Sequence, residues 1–112
     1  MKRGDIYYAD LSPTVGSEIN KRRPVLIVSN DASNRASSTV TVLPVTSNVS
    51  RVYPFEVLLA ARQSGLPKDS KAMAQQVRTI SKNRLLPDRA GQLDRDLMRR
   101  VDIAIKLHLA LT

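Results

Sequence analysis

Several residue types are missing or scarce in this sequence, and each absence excludes a class of chemistry. There is no cysteine, so the chain has no thiol nucleophile, no disulfide and no zinc–thiolate site. The single histidine, His108, cannot form a His–His acid–base pair or a multi-histidine metal site. Because His108 stands between Leu107 and Leu109, we predict a partly buried structural residue rather than a catalytic one.

Glycine and carboxylate patterns that bind nucleotides or metal ions are also missing. The glycines lack the spacing of a phosphate-binding loop. They are Gly4, Gly16, Gly65 and Gly91. Asp94, Asp96 and Asp102 fall in one predicted helix, where they suit a helix cap and a solvated surface. A two-metal nuclease needs convergent carboxylates instead. We therefore expect no metal and no other cofactor.

Long hydrophobic runs are absent as well. No segment is apolar enough for a signal peptide or a membrane-spanning helix, and the lack of cysteine suits a reducing compartment, so we expect a cytoplasmic protein without membrane contact. The length of 112 residues and a hydrophobic content of 42% suffice for one modest core. This predicts a single domain, residues 1–112.

Positive charge is the strongest compositional feature. Eighteen Lys and Arg residues stand against ten Asp and Glu residues, giving a net charge of +8, and twelve of the eighteen cations are arginine. The planar guanidinium binds phosphate through two hydrogen bonds and stacks on bases, so an arginine surplus favours a nucleic-acid partner. A merely soluble basic surface is the alternative that charge alone leaves open.

The hydrophobic pattern is mostly that of β-strands. Strands are predicted at residues 4–10, 24–29, 39–46 and 55–59, and a short helical turn fits within 30–38. Residues 71–80 suit either a strand or a helix, and we choose a strand because Val77, Thr79 and Ile80 are β-branched. From 93 to 111 apolar residues recur every three or four positions, which predicts an amphipathic helix. The fold class is therefore mainly β with a C-terminal α-helix, as a strongly bent sheet or partly open barrel.

A cluster of three cations stands where a polar loop meets the most apolar strand. Lys21, Arg22 and Arg23 directly precede the PVLIVS segment. A rigid strand end can hold a guanidinium against a phosphate while the loop adjusts to a flexible ligand. A solubilising charge run is the alternative.

Four sequence blocks follow one another in a recognisable order: GDIYYADL, GSEINKRRPVLIVSND, TVTVLPVTSN and AMAQQVRTISKNRL. They span nearly the whole chain, and as an ordered set they resemble the MazF/PemK family of toxin endoribonucleases. The resemblance implies a dimeric, SH3-like partly open barrel of the CcdB/PemK type that cuts single-stranded RNA without metal. It also implies a homodimer and an acidic, MazE-like antitoxin as partners, the acidity suiting a basic groove.

The same resemblance assigns candidate site residues. Arg23 and Thr46 are the implied catalytic pair, and the residues implied to lie near the RNA are Glu18, Ser47, Gln76 and Arg78. Lys21 and Arg22 add positive charge for RNA binding. Arginine stays protonated near neutral pH and is therefore a poor base, so Glu18 is our candidate to accept the proton of the 2′-hydroxyl.

The sequence departs from the PemK branch of the family. That branch is thought to use an Arg, an Asp and a His, at positions that align with Met73, Gln75 and Ser17 here. These side chains cannot form that acid–base set, so we place the chain with the Arg/Thr branch.

Two other functions compete with RNA cleavage. A CcdB-like gyrase poison needs a C-terminal Trp-Gly-Ile, whereas this chain has no Trp and ends HLALT. A basic nucleic-acid-binding module without catalysis is the second.

Base recognition is not determined by the sequence, since aromatic residues are few and we expect core packing for Phe55. The aromatic residues are Tyr7, Tyr8, Tyr53 and Phe55.

Overall fold

The computed structural model describes residues 1–18 and 21–112. Strands dominate this part of the chain. They are β1 (Asp5–Asp10), β2 (Arg22–Ile27), β3 (Thr39–Thr46), β4 (Glu56–Leu59), β5 (Ser70–Met73), β6 (Arg78–Ser81) and β7 (Leu85–Gln92). The α-helices are α1 (Asp31–Ala36), α2 (Ala61–Ser64) and α3 (Arg95–Leu109). The predicted class, mainly β with a C-terminal helix, is confirmed.

The strands form one antiparallel sheet that does not close. Its order is β4-β5-β3-β2-β1-β7, and β6 pairs with β3 beside this path. Strand β3 therefore pairs with β2, β5 and β6. Its sequence TVTVLPVT is buried from Val42 through Val45, as expected of a strand covered on both faces.

Helix α3 covers one face of the sheet. The side chain of Asp94 accepts a hydrogen bond from the backbone of Leu97, which caps the helix as the sequence predicted. Leu97, Val101 and Ala104 are buried in a core with residues of β1 to β5. The predicted partial burial of His108 was wrong, because this side chain is exposed near the helix end, with its ring centroid 6.3 Å from that of Phe55.

The predicted strand at 71–80 is interrupted. Strand β5 ends at Met73, a 3-10 turn spans Ala74–Gln76, and β6 begins at Arg78. The two halves pair with opposite ends of β3, so the chain must bend between them. The sequence cannot show this, because both halves are individually good strand segments.

Strand β7 and the short helix α2 were not predicted. The LLPDRAGQ segment of β7 carries Pro87, which suits a strand at the edge of a sheet. Gly91 lies so close to α2 that a Cβ there would be 2.0 Å from the Ser64 carbonyl oxygen. Only glycine fits at this crossing.

The sheet has a core cluster on each face. Along β2, Leu26 packs in the cluster that includes α3, whereas Val25 and Ile27 pack in a second cluster on the opposite face. The second cluster also contains Leu11 from the β1–β2 loop.

Candidate nucleic-acid interface

The pairing of β2 with β3 brings Arg23 and Thr46 to the same place. Val25 is opposite Pro44, and continuing this register by two residues sets Arg23 opposite Thr46. Opposite residues of an antiparallel pair project their side chains to the same face. Both residues are half-buried. The distant sequence blocks that contain them therefore meet at one end of the second core cluster.

Arg78 shares this face but lies further along it. It is opposite Val42, four residues before Thr46 on β3, which corresponds to about 13 Å along a strand. Its guanidinium Nη1 donates to the carbonyl oxygen of Leu11, 3.3 Å away. Arg78 therefore marks a second cationic position beneath the β1–β2 loop.

A cavity of about 180 Å³ opens beside Arg23. Its residues come from β1, β2, β3 and β5 and from the segments that follow β3 and α2. They are Tyr8, Arg22, Arg23, Pro24, Val45, Ser47, Leu66, Pro67, Lys68 and Ser70. Three of them are cations, and none of the described residues that line the cavity is acidic. Such a cavity suits a phosphate group.

Lys68 was not identified from the sequence as a site residue. It lies in the SGLPKDS segment, which is typical of a turn and carries no family pattern. The structure places Lys68 in the cavity with Arg22 and Arg23. The only sequence signal was a cation next to proline in a turn, and that is too common to be informative.

Glu18 lies in a different cavity from Arg23. Glu18, Gln75, Gln76, Val77 and Arg78 line a space of about 170 Å³. The exposed carboxylate of Glu18 accepts a hydrogen bond from the backbone of Val15, at 3.0 Å. The structure thus brings Glu18, Gln76 and Arg78 together and separates them from the cavity at Arg23.

The remaining predicted residues adjoin these positions. The Thr46 hydroxyl accepts a hydrogen bond from the backbone of Asn48, at 3.2 Å, and a hydroxyl in that role still carries a proton to donate. Lys21 is exposed, has a φ of 68°, and donates its backbone N–H to the hydroxyl of Ser12. Ile19 and Asn20 of the INKRR segment lie outside the described residues.

The positions used by the PemK branch have other surroundings here. Met73 is buried in β5 and Ser17 is exposed. Gln75 donates from Nε2 to Glu56, at 2.7 Å. The burial of Met73, the exposure of Ser17 and the hydrogen bond of Gln75 agree with assignment to the Arg/Thr branch.

A buried ion pair lies next to Thr46. Lys71 is opposite Thr46 in the β3–β5 pairing, so both side chains lie on the same face. Its ammonium is 2.9 Å from Glu56 Oε1, and only 2% of the Glu56 side chain is exposed. Burial raises the pKa of Glu56, but hydrogen bonds from Tyr53, Gln75 and Lys71, with the Lys71 charge, hold this pKa below its ordinary value.

Acidic and histidine side chains are dispersed over the described ranges 1–18 and 21–112. No three of them within these ranges lie close enough together to hold a metal ion. Across the same part of the chain, no helix has both the length and the apolar character needed to cross a membrane.

Comparison with known proteins identifies this small basic β-sheet protein as a toxin of a toxin–antitoxin system. A family model described as PemK-like, MazF-like toxin of type II toxin-antitoxin system matches residues 2–109. The chain therefore belongs to the PemK/MazF toxin family, as its four sequence blocks predicted.

Relatives of similar length support the assignment. The chain is 46% identical to Endoribonuclease MazF9 of Mycobacterium tuberculosis, covering 99% of this chain and 98% of that protein. It is 44% identical to Endoribonuclease EndoA of Bacillus subtilis, covering 99% and 96%. A solved structure of an endoribonuclease in complex with its cognate antitoxin from Mycobacterial species matches with a TM-score of 0.81 at 27% identity, covering 100% of this chain and 97% of that one.

Proposed function

We propose that this toxin is a sequence-selective, metal-independent endoribonuclease that cleaves single-stranded RNA in the cytoplasm and thereby inhibits translation. The names of the two relatives support the reaction class. The observation that carries the proposal is the pairing of β2 with β3, whose register, continued two residues beyond Val25 and Pro44, sets Arg23 opposite Thr46. Arg23 also lines a cavity that contains three cations. Residues 1–112 act as one toxin domain in this proposal.

The reaction uses a nucleophile that RNA itself provides. The 2′-oxygen forms a bond to the adjacent phosphorus, the bond from phosphorus to the 5′-oxygen breaks, and the products are a 2′,3′-cyclic phosphate and a 5′-hydroxyl. Arg23 stabilises the negative charge that develops on the phosphate and donates a proton toward the leaving 5′-oxygen. Thr46 donates a hydrogen bond to a non-bridging oxygen. Both contacts are stronger in the transition state than in the bound substrate.

Glu18, the candidate acceptor of the proton from the 2′-hydroxyl, lies in the cavity with Gln76 and Arg78, apart from the cavity at Arg23. A proton acceptor must be within hydrogen-bond reach of the 2′-hydroxyl. In this proposal a water molecule beside the scissile phosphate accepts the proton, and Glu18, Gln76 and Arg78 contact the RNA further along the strand. In this arrangement Lys21, Arg22 and Ser47 contact the RNA backbone and fix its register.

Incubation of the purified protein with a long RNA in excess EDTA tests the reaction class. We expect discrete cuts with 5′-hydroxyl and 2′,3′-cyclic phosphate ends, because positioning and charge stabilisation require no metal. End-group labelling with a kinase before and after phosphatase treatment identifies the termini. RNA that is bound but stays intact would show a binding module. Intact RNA together with trapped cleaved DNA in a gyrase assay would show a gyrase poison.

We also propose that the active form is a homodimer built on the exposed side of α3. Ile103 and Leu107 are one helical turn apart and are 65% and 54% exposed, on the side opposite the buried Val101. A second copy of the chain can cover this exposed apolar side of α3.

Replacing Leu107 with Glu is expected to convert this dimer to a monomer. A charge buried in an apolar interface costs several kcal/mol, so the dissociation constant should rise at least about a hundredfold. Light scattering after gel filtration should then give the monomer mass of 12.4 kDa. Val15→Glu introduces the same charge at a side chain that is 79% exposed, and should leave the dimer intact. An unchanged mass for the Leu107 variant would refute this interface.

An acidic, MazE-like antitoxin is the proposed protein partner. The structural relative in complex with its antitoxin supports a partner of this kind. The net charge of +8 and the cationic cavity at Arg23 favour an acidic segment that competes with RNA for the same surface.

A further inference from the structure

The β3–β4 loop, residues 47–55, carries an aromatic surface that the proposed chemistry does not use. Within it the rings of Tyr53 and Phe55 are stacked, with centroids 5.4 Å apart and planes inclined by only 4°. Tyr53 is 41% exposed, whereas Phe55 is half-buried and also lies against His108. Phe55 therefore supports the Tyr53 ring and leaves much of that ring accessible.

Arg51 adds a planar cation over the Tyr53 ring, and the Lys71 ammonium lies 5.9 Å from the same ring centroid. Its guanidinium carbon is 5.7 Å from the ring centroid, and its Nη1 donates to the Tyr53 hydroxyl at 3.1 Å. An aromatic ring and a guanidinium plane are the two side-chain surfaces on which unpaired bases stack. The guanidinium also attracts the phosphate next to such a base.

The buried ion pair fixes the backbone of this loop at two points. Lys71 donates to the carbonyl oxygen of Arg51 at 2.7 Å as well as to Glu56. Glu56 Oε1 also accepts the backbone N–H of Tyr53, at 3.0 Å. The aromatic surface is therefore held in place before any ligand binds, which lowers the entropy cost of stacking.

The loop also lies next to the proposed reaction centre. It begins at Ser47, directly after Thr46, and Ser47 lines the cavity at Arg23. Lys71, which holds Arg51, is the strand partner of Thr46 and projects to the same face. The side chain of Lys71 thus connects the loop directly to the β3–β5 strand pair that carries Thr46.

We propose that Tyr53, supported by Phe55 and flanked by Arg51, stacks an unpaired base of the RNA substrate close to the scissile phosphate. The surface is a specificity subsite that rests on the proposed endoribonuclease function. Stacking holds one nucleotide in place while Arg23 acts on the neighbouring phosphate. A base fits better than an acidic peptide, because the surface joins an open aromatic ring to a cation, and peptide carboxylates do not need the ring.

A fluorescent reporter can replace Tyr53, since the chain has no tryptophan of its own. In a Tyr53→Trp variant, binding of an RNA oligonucleotide with 2′-fluoro groups, which cannot cleave itself, is expected to quench the fluorescence. An abasic residue placed at each position in turn should abolish quenching at one position only. Thr39→Trp, at the other end of β3, is the control and should show no position-dependent change.

Cleavage by Tyr53→Ala provides the second readout. We expect kcat/KM to fall about ten- to a hundredfold, mainly through KM, with relaxed base preference at the abasic-sensitive position. Tyr53→Phe should recover most of the kcat/KM that Tyr53→Ala loses, because it retains the ring and lacks only the hydroxyl that accepts from Arg51. Circular dichroism and thermal melting should show that both variants are folded.

The outcomes separate this subsite from the function on which it rests. Wild-type protein that binds but never cuts RNA contradicts the nuclease, whatever Tyr53 does. Normal cleavage by Tyr53→Ala overturns the stacking proposal. So does indole fluorescence of Tyr53→Trp that stays constant while the oligonucleotide binds. Neither result contradicts the proposed nuclease activity. Quenching by an acidic aromatic peptide but not by RNA would assign the surface to a protein partner and also overturn it.

Discussion

Replacement of Arg23 by alanine is expected to slow RNA cleavage by at least about 10²–10³-fold, the usual effect of removing one donor that stabilises an oxyanion. The proposed mechanism gives Arg23 two tasks, charge stabilisation at the phosphate and donation toward the 5′-oxygen, so the loss should fall on kcat more than on KM. Single-turnover cleavage of a defined oligonucleotide measures it. The fold should be retained, because the half-buried Arg23 stands at the end of β2 rather than in either core cluster.

Arg22→Ala is the matched control for this prediction. Arg22 is the neighbouring residue, lines the same cavity, and carries the same charge, but it is exposed and alternates to the other side of the strand. Its removal should weaken RNA binding modestly and make it less sensitive to salt, with kcat nearly unchanged. If the two variants lose activity equally, the cavity acts only through its total charge and Arg23 has no special role.

Replacement of Lys71 by methionine is expected to lower the free energy of unfolding by about 3–5 kcal/mol, the cost of breaking a buried ion pair. The Glu56 carboxylate, 2% exposed, would be left buried without its counter-charge. For a domain of this size the melting temperature should fall by more than about 10 °C. Urea and thermal unfolding monitored by circular dichroism measure both quantities.

The double variant Lys71→Met/Glu56→Gln shows whether the charge is responsible. The neutral amide introduced by Glu56→Gln keeps a carbonyl oxygen, which can still accept a hydrogen bond from Tyr53 or Gln75, as the carboxylate does in the wild type. The double variant should therefore be more stable than Lys71→Met alone, with a coupling free energy of at least about 1 kcal/mol. Additive losses would mean that the two residues contribute through packing rather than as an ion pair.

The ion pair should also appear in the pH dependence of stability. The pKa of Glu56 is lowered in the folded state despite burial, which alone raises it, because hydrogen bonds and Lys71 favour the carboxylate. Because its folded-state pKa is lowered, ionised Glu56 stabilises the folded protein at pH values above about 4.3, the pKa of an unfolded glutamate. This stabilisation is lost as the pH falls through the folded-state pKa. The loss in free energy of unfolding caused by Lys71→Met should therefore become smaller below about pH 4.

From the sequence, only the residues that lie in family-specific patterns could be predicted as site residues. RPVLIV and VLPVTSN identified Arg23 and Thr46 as separate candidates. The pairing of β2 with β3 was needed to set them opposite each other. Lys68 could not have been found, because its place beside Arg23 depends on how the segment after α2 folds back, and its own sequence is an ordinary turn.

The surroundings of Tyr53 were equally beyond the sequence. The stacking of Tyr53 on Phe55 and the contacts of Lys71 with Glu56 and Arg51 join residues up to 20 positions apart. No periodicity records such contacts, since each residue by itself is compatible with an exposed loop or with a strand. The break at Ala74–Gln76 escaped prediction for the same reason, because it follows from which part of β3 each half of the segment meets.

By itself the sequence determined the class of fold, the C-terminal helix with its Asp94 cap, the basic character and the family, because alternation, helical spacing, composition and ordered motifs are all local properties. Only the tertiary structure decided which charges converge. It placed Arg23, Arg22 and Lys68 around one cavity, set Glu18 in another, and buried Lys71 against Glu56. Those arrangements depend on strand register and loop packing, in which contacts between residues far apart in the chain outweigh local preference.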